Sequence, residues 1–265
     1  MGKFFNVDVR PDIINGNVAL VQNSNKSDLD IGAGELVFDW VEVDVPKGSS
    51  MLRSITAFVN GEDGAIANST SDIELVFAKS INEEAPTSMG AVNGAQTGGF
   101  DLRQHWIGGA RIEGVAAQGT LSKLAFGVGY IAASMGNDST GKGGDGLPLV
   151  IDLESKSGTN VGYDKLYVCG FLITARHFST GVIVNGAITS DAEDTITVDG
   201  VDAVKIFSPG DTVYLHDVNT ALGTVKSVST NSIVLNAAIA GGTDLDDDDE
   251  LLNANPFYFK LGFEK

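Results

Sequence analysis

The sequence predicts an all-β protein, and three observations support this prediction. Apolar residues alternate with polar ones at a period of two, which places one face of a strand against a core. Glycine is abundant, with 33 glycines against 6 prolines, as expected for a chain with many tight turns. No long segment has the spacing and capping residues of a helix. The best short helix candidates lie near residues 101–106 and 110–118.

The alternation identifies individual strands. It is clearest in four segments, each of which is expected to turn one face toward a core: 41–45, 73–77, 147–153 and 257–263. The segment 166–174 is apolar on both faces, which predicts a central strand. Further strand candidates are 52–60 and 121–131.

The last third of the chain differs in character. Residues 181–254 contain short Thr/Val-rich strands separated by Asp and Gly turns, in an order typical of a small SH3-like barrel. The strand at 257–263 is longer and more aromatic, like the strands that precede the barrel. The sequence therefore predicts a jelly-roll-like antiparallel β-sandwich with a small SH3-like β-barrel inserted near the C-terminus. A simple tandem of two domains is the alternative.

The predicted boundaries follow from this reading. The sandwich comprises residues 31–178 plus 255–265, and the barrel comprises residues 179–254. Residues 1–30 are expected to form either an N-terminal arm or an edge strand.

Charge and hydropathy restrict the partners. The formal net charge is −18, so the surface should repel nucleic acid and anionic membranes. No window reaches the roughly 18 apolar residues that a transmembrane helix needs. The first eight residues lack the apolar core of a signal peptide. We therefore expect synthesis in a cytoplasm, with no nucleic acid or membrane as partner.

Two sequence features are associated with catalysis, but neither supports a catalytic role here. The run Gly136–Gly143 nearly matches a phosphate-binding P-loop, but Gly143 stands where a magnesium-binding Ser or Thr is needed. The single cysteine, Cys169, lies in the apolar segment 166–174 and is expected to be buried and inert. The sequence therefore predicts no cofactor and no enzyme activity.

The histidines are spread over three separate elements: His105, His177 and His216. A zinc site usually has three or four ligands, often in closely spaced pairs, so this spacing favours structural histidines. A Ser-His-Asp arrangement stays open, because its members need not be adjacent in sequence. A hydrolase would require His105 or His177 to lie beside a carboxylate.

The densest charge run, Asp244–Glu250, provides weak calcium candidates. Hard cations bind clustered carboxylate oxygens, and the candidates are Asp246, Asp248 and Glu250. The run lacks the alternating ligands and the central glycine of a calcium loop. A solvated turn is therefore the preferred interpretation.

Aromatic residues outside regular alternation are candidates for a protein interface. Trp106 lies in the irregular stretch 103–106, and its neighbours Arg103 and His105 are candidates with it. Trp40 lies in an alternating strand and is expected to pack in the core. If Trp106 or Trp40 lay exposed on a concave face, a sugar-binding platform would be the alternative.

The N-terminal aromatic residues are the remaining interface candidates. Phe4 and Phe5 lie in an apolar stretch, so an extended N-terminus could clamp a neighbouring chain. The alternative is that residues 3–9 form an ordinary edge strand of the sandwich.

Six segments of the chain resemble virion structural proteins of marine tailed phages, including cyanophages: VDVPKG at 43–48, LRSITAFVNG at 52–61, DIELVFAK at 72–79, PGDTVYLHD at 209–217, LGTV at 222–225 and DDELLNANP at 248–256. The resemblance implies a capsid decoration or cement protein that binds and stabilises the capsid shell as an oligomer, with a trimer preferred. Its implied partners are the major capsid protein or other virion proteins.

The resemblance also implies a location, the capsid exterior of the virion, after synthesis in the host cytoplasm. It carries over no catalytic residue. The alternatives are a tail, neck or baseplate protein, or a carbohydrate-binding β-module for host attachment.

Overall fold

The computed structural model describes residues 3–14, 30–60, 72–112, 124–132, 147–151, 164–189, 193–216 and 220–265. In these ranges the strands are β1 Phe4–Val9, β2 Asp30–Ile31, β3 Leu36–Val43, β4 Gly48–Asn60, β5 Ile73–Lys79, β6 Trp106–Ile112, β7 Leu124–Ala132, β8 Leu147–Ile151, β9 Leu166–Leu172, β10 Arg176–His177, β11 Val182–Val184, β12 Thr195–Gly200, β13 Thr212–Leu215, β14 Thr220–Ser229, β15 Ser232–Leu235, β16 Leu251–Asn253 and β17 Phe257–Glu264. One short helix, α1 Leu102–His105, and a 3-10 turn, Ala203–Lys205, accompany them.

The all-β prediction is confirmed, since strands dominate and the paired strands are antiparallel. The helix candidate at 110–118 is wrong at its start, because residues 110–112 belong to β6. This strand is hydrogen-bonded to β5 on one side and β7 on the other. Pairing on both sides outweighs the weak helical preference of a short apolar run. Residues 113–118 lie outside the described part of the chain, and α1 falls within the other candidate, 101–106.

Most of the larger unit is one folded sheet, in the order β1-β17-β4-β7-β6-β5-β9-β3, with β8 paired to β4. Strand β7 provides the fold line. Its first half, Leu124–Val128, pairs with β4, and its second half, Gly129–Ala132, pairs with β6. Glycines at 127 and 129 flank this change of partner, where a missing side chain eases a bend. The two halves of the sheet therefore face each other.

A single apolar core fills the space between the two halves. Phe257, Phe259 and Leu261 of β17 are buried together with Phe38 of β3 and Phe77 of β5. The rings of Phe38 and Phe259 lie 5.8 Å apart, centroid to centroid. The strand at 257–263 therefore belongs to the larger sheet, as its aromatic character predicted. Burial of such side chains is the main source of stability for a packed sheet pair.

The smaller unit is a six-stranded sheet, in the order β11-β12-β15-β14-β13-β16. Its ends meet, because the Val184 amide donates to the Asp249 carbonyl and the Asp248 amide donates to the Val184 carbonyl. It encloses a second core that includes Val198, Val213 and Ile233. The chain enters this barrel-like unit at β11 and leaves it after β16. The preceding β9 and the following β17 both lie in the larger sheet.

The two units are joined by hydrogen bonds that cross the junction. The Ala254 amide donates to the Thr212 carbonyl of β13, and the Thr212 amide donates to the Asn255 side chain at 2.8 Å. Glu250 accepts hydrogen bonds from the Ser179 hydroxyl at 2.7 Å and the Thr180 amide at 2.9 Å. Because the entry and exit of the barrel are tied together here, Glu250 acts as a clamp.

Among the described residues, no helix has the length and apolar character needed to cross a bilayer.

Candidate interaction surfaces

The outer face of β5, β6 and β9 carries a second apolar cluster, separate from the main core. Val76 and Cys169 are buried there beneath Met89, which belongs to the loop between β5 and α1. This loop is held on the sheet by hydrogen bonds to β3, since the Asn93 amide donates to the Leu36 carbonyl and the Met89 amide donates to the Asp39 carboxylate. The 82–99 loop therefore covers part of a sheet face that would otherwise be exposed.

Beside this loop the same face opens into a groove of about 400 Å³. Its walls are mainly apolar and aromatic, with Trp106, Phe171 and Leu102 among them. Two polar side chains, Glu74 and Gln96, also line it. We call this feature the outer groove. Its composition, mostly apolar with a few polar groups, is typical of a surface that receives a ligand or a partner side chain.

Phe100 lies next to the outer groove, because a Cβ at the preceding Gly99 would lie 2.4 Å from Sδ of groove-lining Met89. Its side chain is 92 % exposed. Two glycines set up this exposure. A Cβ at Gly98 would lie 2.0 Å from the Ser88 carbonyl oxygen, and Gly99 has a φ of +73°. The turn therefore requires both glycines, and it directs the following residue away from the sheet. Phe100 is not among the residues predicted from sequence, although a lone aromatic residue after paired glycines is a recognisable signal.

Helix α1 places the interface candidates at 103–106. Trp106 is half-buried and lines the outer groove, while Arg103 is exposed. His105 is buried, and its Nδ1 lies 2.7 Å from the Lys79 carbonyl oxygen. Its Nε2 lies 3.3 Å from Asp101. His105 is thus a support for the helix, whereas Trp106 and Arg103 remain at the surface.

Asp101 begins this helix and is held as an anion. Burial opposes ionisation of its carboxyl group. Hydrogen bonds from Thr87 and the charge of nearby His105 outweigh that effect and lower its pKa. The carboxylate therefore ties the covering loop to α1.

Trp40 does not enter the main core as expected. It is half-buried against the outer cluster, and its indole N–H donates to the Thr87 carbonyl at 2.9 Å. The covering loop thus uses Trp40 as an anchor.

The second surface of interest is the edge of β1 that faces away from β17, which no strand in the described ranges pairs with. Lys3 and Lys265 exchange two backbone hydrogen bonds, and β1 pairs with β17 without a register shift. Antiparallel pairs alternate, so the amides and carbonyls of Phe4, Asn6 and Asp8 point away from β17. Within residues 3–9, for which an edge strand was the alternative, Phe4–Val9 form the last strand of the sheet among the described residues.

Side chains alternate along β1 as the pleat requires. Phe5 faces inward and stacks on Phe263, with ring centroids 5.2 Å apart. Phe4 faces outward and is 75 % exposed. Of the two candidates, Phe4 alone is presented at the surface.

Other sheet edges in the described part of the chain are closed or irregular. Strand β3 has register shifts, and its Leu36 exchanges backbone hydrogen bonds with the covering loop at Asn93 and Gly94. Strand β8 contains Pro148, which has no amide to donate. By comparison, β1 is a regular strand with an open edge.

Two histidines lie beside carboxylates, as a hydrolase would require: His105 beside Asp101, and His177 with its Nδ1 2.8 Å from Asp30. Within the described ranges, no Ser, Thr or Cys is hydrogen-bonded to either ring. Cys169 is buried, and burial raises the pKa of its thiol far above the usual range. The arrangement therefore shows imidazole–carboxylate pairs without an attached nucleophile.

The calcium candidates do not converge. Glu250 turns inward to the junction, and the Asp246 amide donates to the Asp249 carboxylate at 2.7 Å across a turn. Asp248 is exposed, with a φ of 71°. Across the described residues, no group of three or more acidic, His or Cys side chains is placed to hold a metal ion. The P-loop-like run 136–143 lies outside the described residues.

No protein-family model, no curated protein and no solved structure was found to match this chain.

Proposed function

We propose that this protein is a structural component of a tailed-phage virion, a capsid decoration protein that binds the shell as an oligomer. The observation that carries the proposal is the open edge of β1 beside exposed Phe4. A regular strand edge with unpaired amides is a ready template for a strand of another chain. The proposed function includes no catalytic step.

The geometry of β1 suits a role in assembly. Phe4, Asn6 and Asp8 direct their backbone groups outward, so a neighbouring strand can add three residues of ladder. The exposed Phe4 side chain, on the sheet face next to this edge, supplies apolar area. Asp8 is paired with Lys260 at 2.8 Å, which reduces the charge presented to a partner.

The test uses the full chain and empty capsid shells of the phage that encodes it. Co-sedimentation should show saturable binding of the native protein to the shells. Asn6→Pro should weaken binding about tenfold or more, because it removes an outward-pointing amide. The matched control, Asn6→Ala, keeps that amide and should bind nearly as well as the native protein.

Two results would overturn this proposal. If the native chain bound no shell, a decoration role would be wrong, and binding to purified tails or necks would assign it elsewhere in the virion. If Asn6→Pro bound shells as well as Asn6→Ala, the β1 edge would not be the contact.

A carbohydrate-binding module for host attachment is the second candidate, and the position of Trp106 favours it. An indole on the wall of an open groove can stack on a sugar face, with Glu74 and Gln96 as hydrogen-bonding groups. A glycan array should then give hits that Trp106→Ala abolishes. An array without hits would remove this candidate.

A further inference from the structure

The outer groove and Phe100 lie on one surface. The groove can receive an apolar side chain, and Phe100 is an exposed apolar side chain. Phe100 is 92 % exposed, and among the described residues only Phe4 is another large hydrophobic side chain that is exposed. The groove beside it is open, mainly apolar and about 400 Å³ in volume, so it has room for an aromatic ring. Within one chain the two do not combine, because the Gly98–Gly99 turn directs Phe100 outward.

The charges on this surface are also complementary. Glu74 is half-buried on the groove wall, and Arg103 is exposed on α1 at the rim. Neither forms an ion pair with another residue in the described ranges. A surface that carries an exposed aromatic ring, an apolar groove and both signs of charge can bind a second copy of itself.

We propose that the occupant of the outer groove is Phe100 of a second copy of this chain, in a twofold contact that exchanges the two rings. The Phe100 ring and the outer groove lie side by side on one face. A twofold axis therefore places the ring of each copy in the groove of the other. Arg103 of each copy then meets Glu74 of the other.

Burial of the two rings supplies a large part of the apolar area of such a contact. Each Phe side chain buries about 150–250 Å² when it is covered. A specific interface needs about 1,000 Å² or more, so the proposed contact must also bury Leu102, Trp106 and part of the covering loop. The opposing charges matter because each chain carries a net charge of −18, and two copies repel unless the contact itself is locally compensated.

The inference concerns contacts between copies and is independent of shell binding. Its test is sedimentation equilibrium of the full chain at physiological ionic strength, without shells. The native protein should show a reversible monomer–dimer equilibrium. Phe100→Ser should weaken it about tenfold or more. Lys226→Ser, at an exposed position on β14 of the smaller unit, serves as the control and should leave it unchanged.

A charge exchange makes the test specific to the proposed pairing. Glu74→Arg and Arg103→Glu should each weaken dimerisation, because each places like charges across the contact. The double variant should restore most of the lost affinity. Arg103 is exposed and Glu74 is half-buried on the open groove wall, so circular dichroism should show native structure for all three variants.

Three results would overturn the inference. The native chain could remain monomeric, Phe100→Ser could self-associate as well as the native chain, or the charge exchange could fail to restore affinity. A trimer that is insensitive to Phe100→Ser would place the self-contact on a different surface. None of these results would change the outcome expected for Asn6→Pro in the shell-binding test.

Discussion

At the scale of single residues, the junction between the two units contains a buried carboxyl group with an unusual affinity for protons. Burial raises the pKa of Asp211 to about 6, although the Ser208 amide, Asn253 and Arg10 each favour the ionised form. Arg10, the residue after β1, lies 3.6 Å from Asp211 and also donates to the Pro209 carbonyl. Ionisation of Asp211 therefore has a free-energy cost in the folded state.

This cost predicts a pH dependence of stability. Folded Asp211 holds its proton more tightly than the unfolded chain does, whose pKa is near 3.8. The folded state is therefore favoured at low pH, and that advantage is lost as pH rises from about 4 to about 6. The loss amounts to about 3 kcal/mol. Urea unfolding across this range should show a smaller fall with rising pH for Asp211→Asn, and equal slopes would contradict the assignment.

A second residue-scale prediction concerns Gly170 in the central strand β9. A Cβ at this position would lie 2.4 Å from Cε1 of Phe38, which is fully buried and cannot swing away. Gly170→Ala should therefore reduce the free energy of unfolding by about 1–3 kcal/mol through overpacking. Phe38→Leu makes room for the methyl group, so the double variant should lose less than the sum of the single losses. Strict additivity in a double-mutant cycle would show that the two residues do not touch.

At the scale of elements, sequence alternation predicted strands well where both sides of a strand are paired. The strands at 73–79, 166–172 and 257–264 were all recognisable, because their apolar residues face a core on one or both sides. The fold of the sheet at β7 was not predictable, since a change of pairing partner leaves no periodic signal. The 82–99 loop posed the same problem, because its packing on the sheet depends on distant Trp40.

The site was predicted only in part, for similar reasons. Trp106 was identified because it lies outside regular alternation, and the structure places it in the groove. His105 shares that stretch of sequence but turns inward to a backbone carbonyl. Spacing cannot distinguish these two orientations, because they depend on where α1 meets β5.

The orientation of β1 supports a prediction with its own control. The Val7 amide points toward β17, whereas the Asn6 amide points outward. Val7→Pro should therefore break the ladder and reduce the free energy of unfolding by about 2 kcal/mol or more. Asn6→Pro should cost far less. Chemical denaturation of the two variants measures the difference, and similar losses would mean that the strand is paired on both edges.

At the scale of the whole molecule, Glu250 is a buried polar link at the base of the inserted unit. The carboxylate is buried and accepts hydrogen bonds from Ser179, Thr180 and Gly181. Glu250→Ala leaves those donors without an acceptor and should cost about 3 kcal/mol. Glu250→Gln keeps one carbonyl acceptor and should cost less. Hydrogen exchange at β11 and β16 should accelerate in the alanine variant, and unchanged exchange would argue against the clamp.

The central proposal also concerns the whole molecule. It is that the chain is a structural part of a virion and uses the open edge of β1 for assembly. The most direct test is a cryo-EM reconstruction of the native phage particle at a resolution that traces backbones. The proposal predicts this chain on the capsid exterior, with density of a neighbouring strand alongside Phe4, Asn6 and Asp8. A particle that lacks the chain, or one in which the β1 edge faces only solvent, would contradict it.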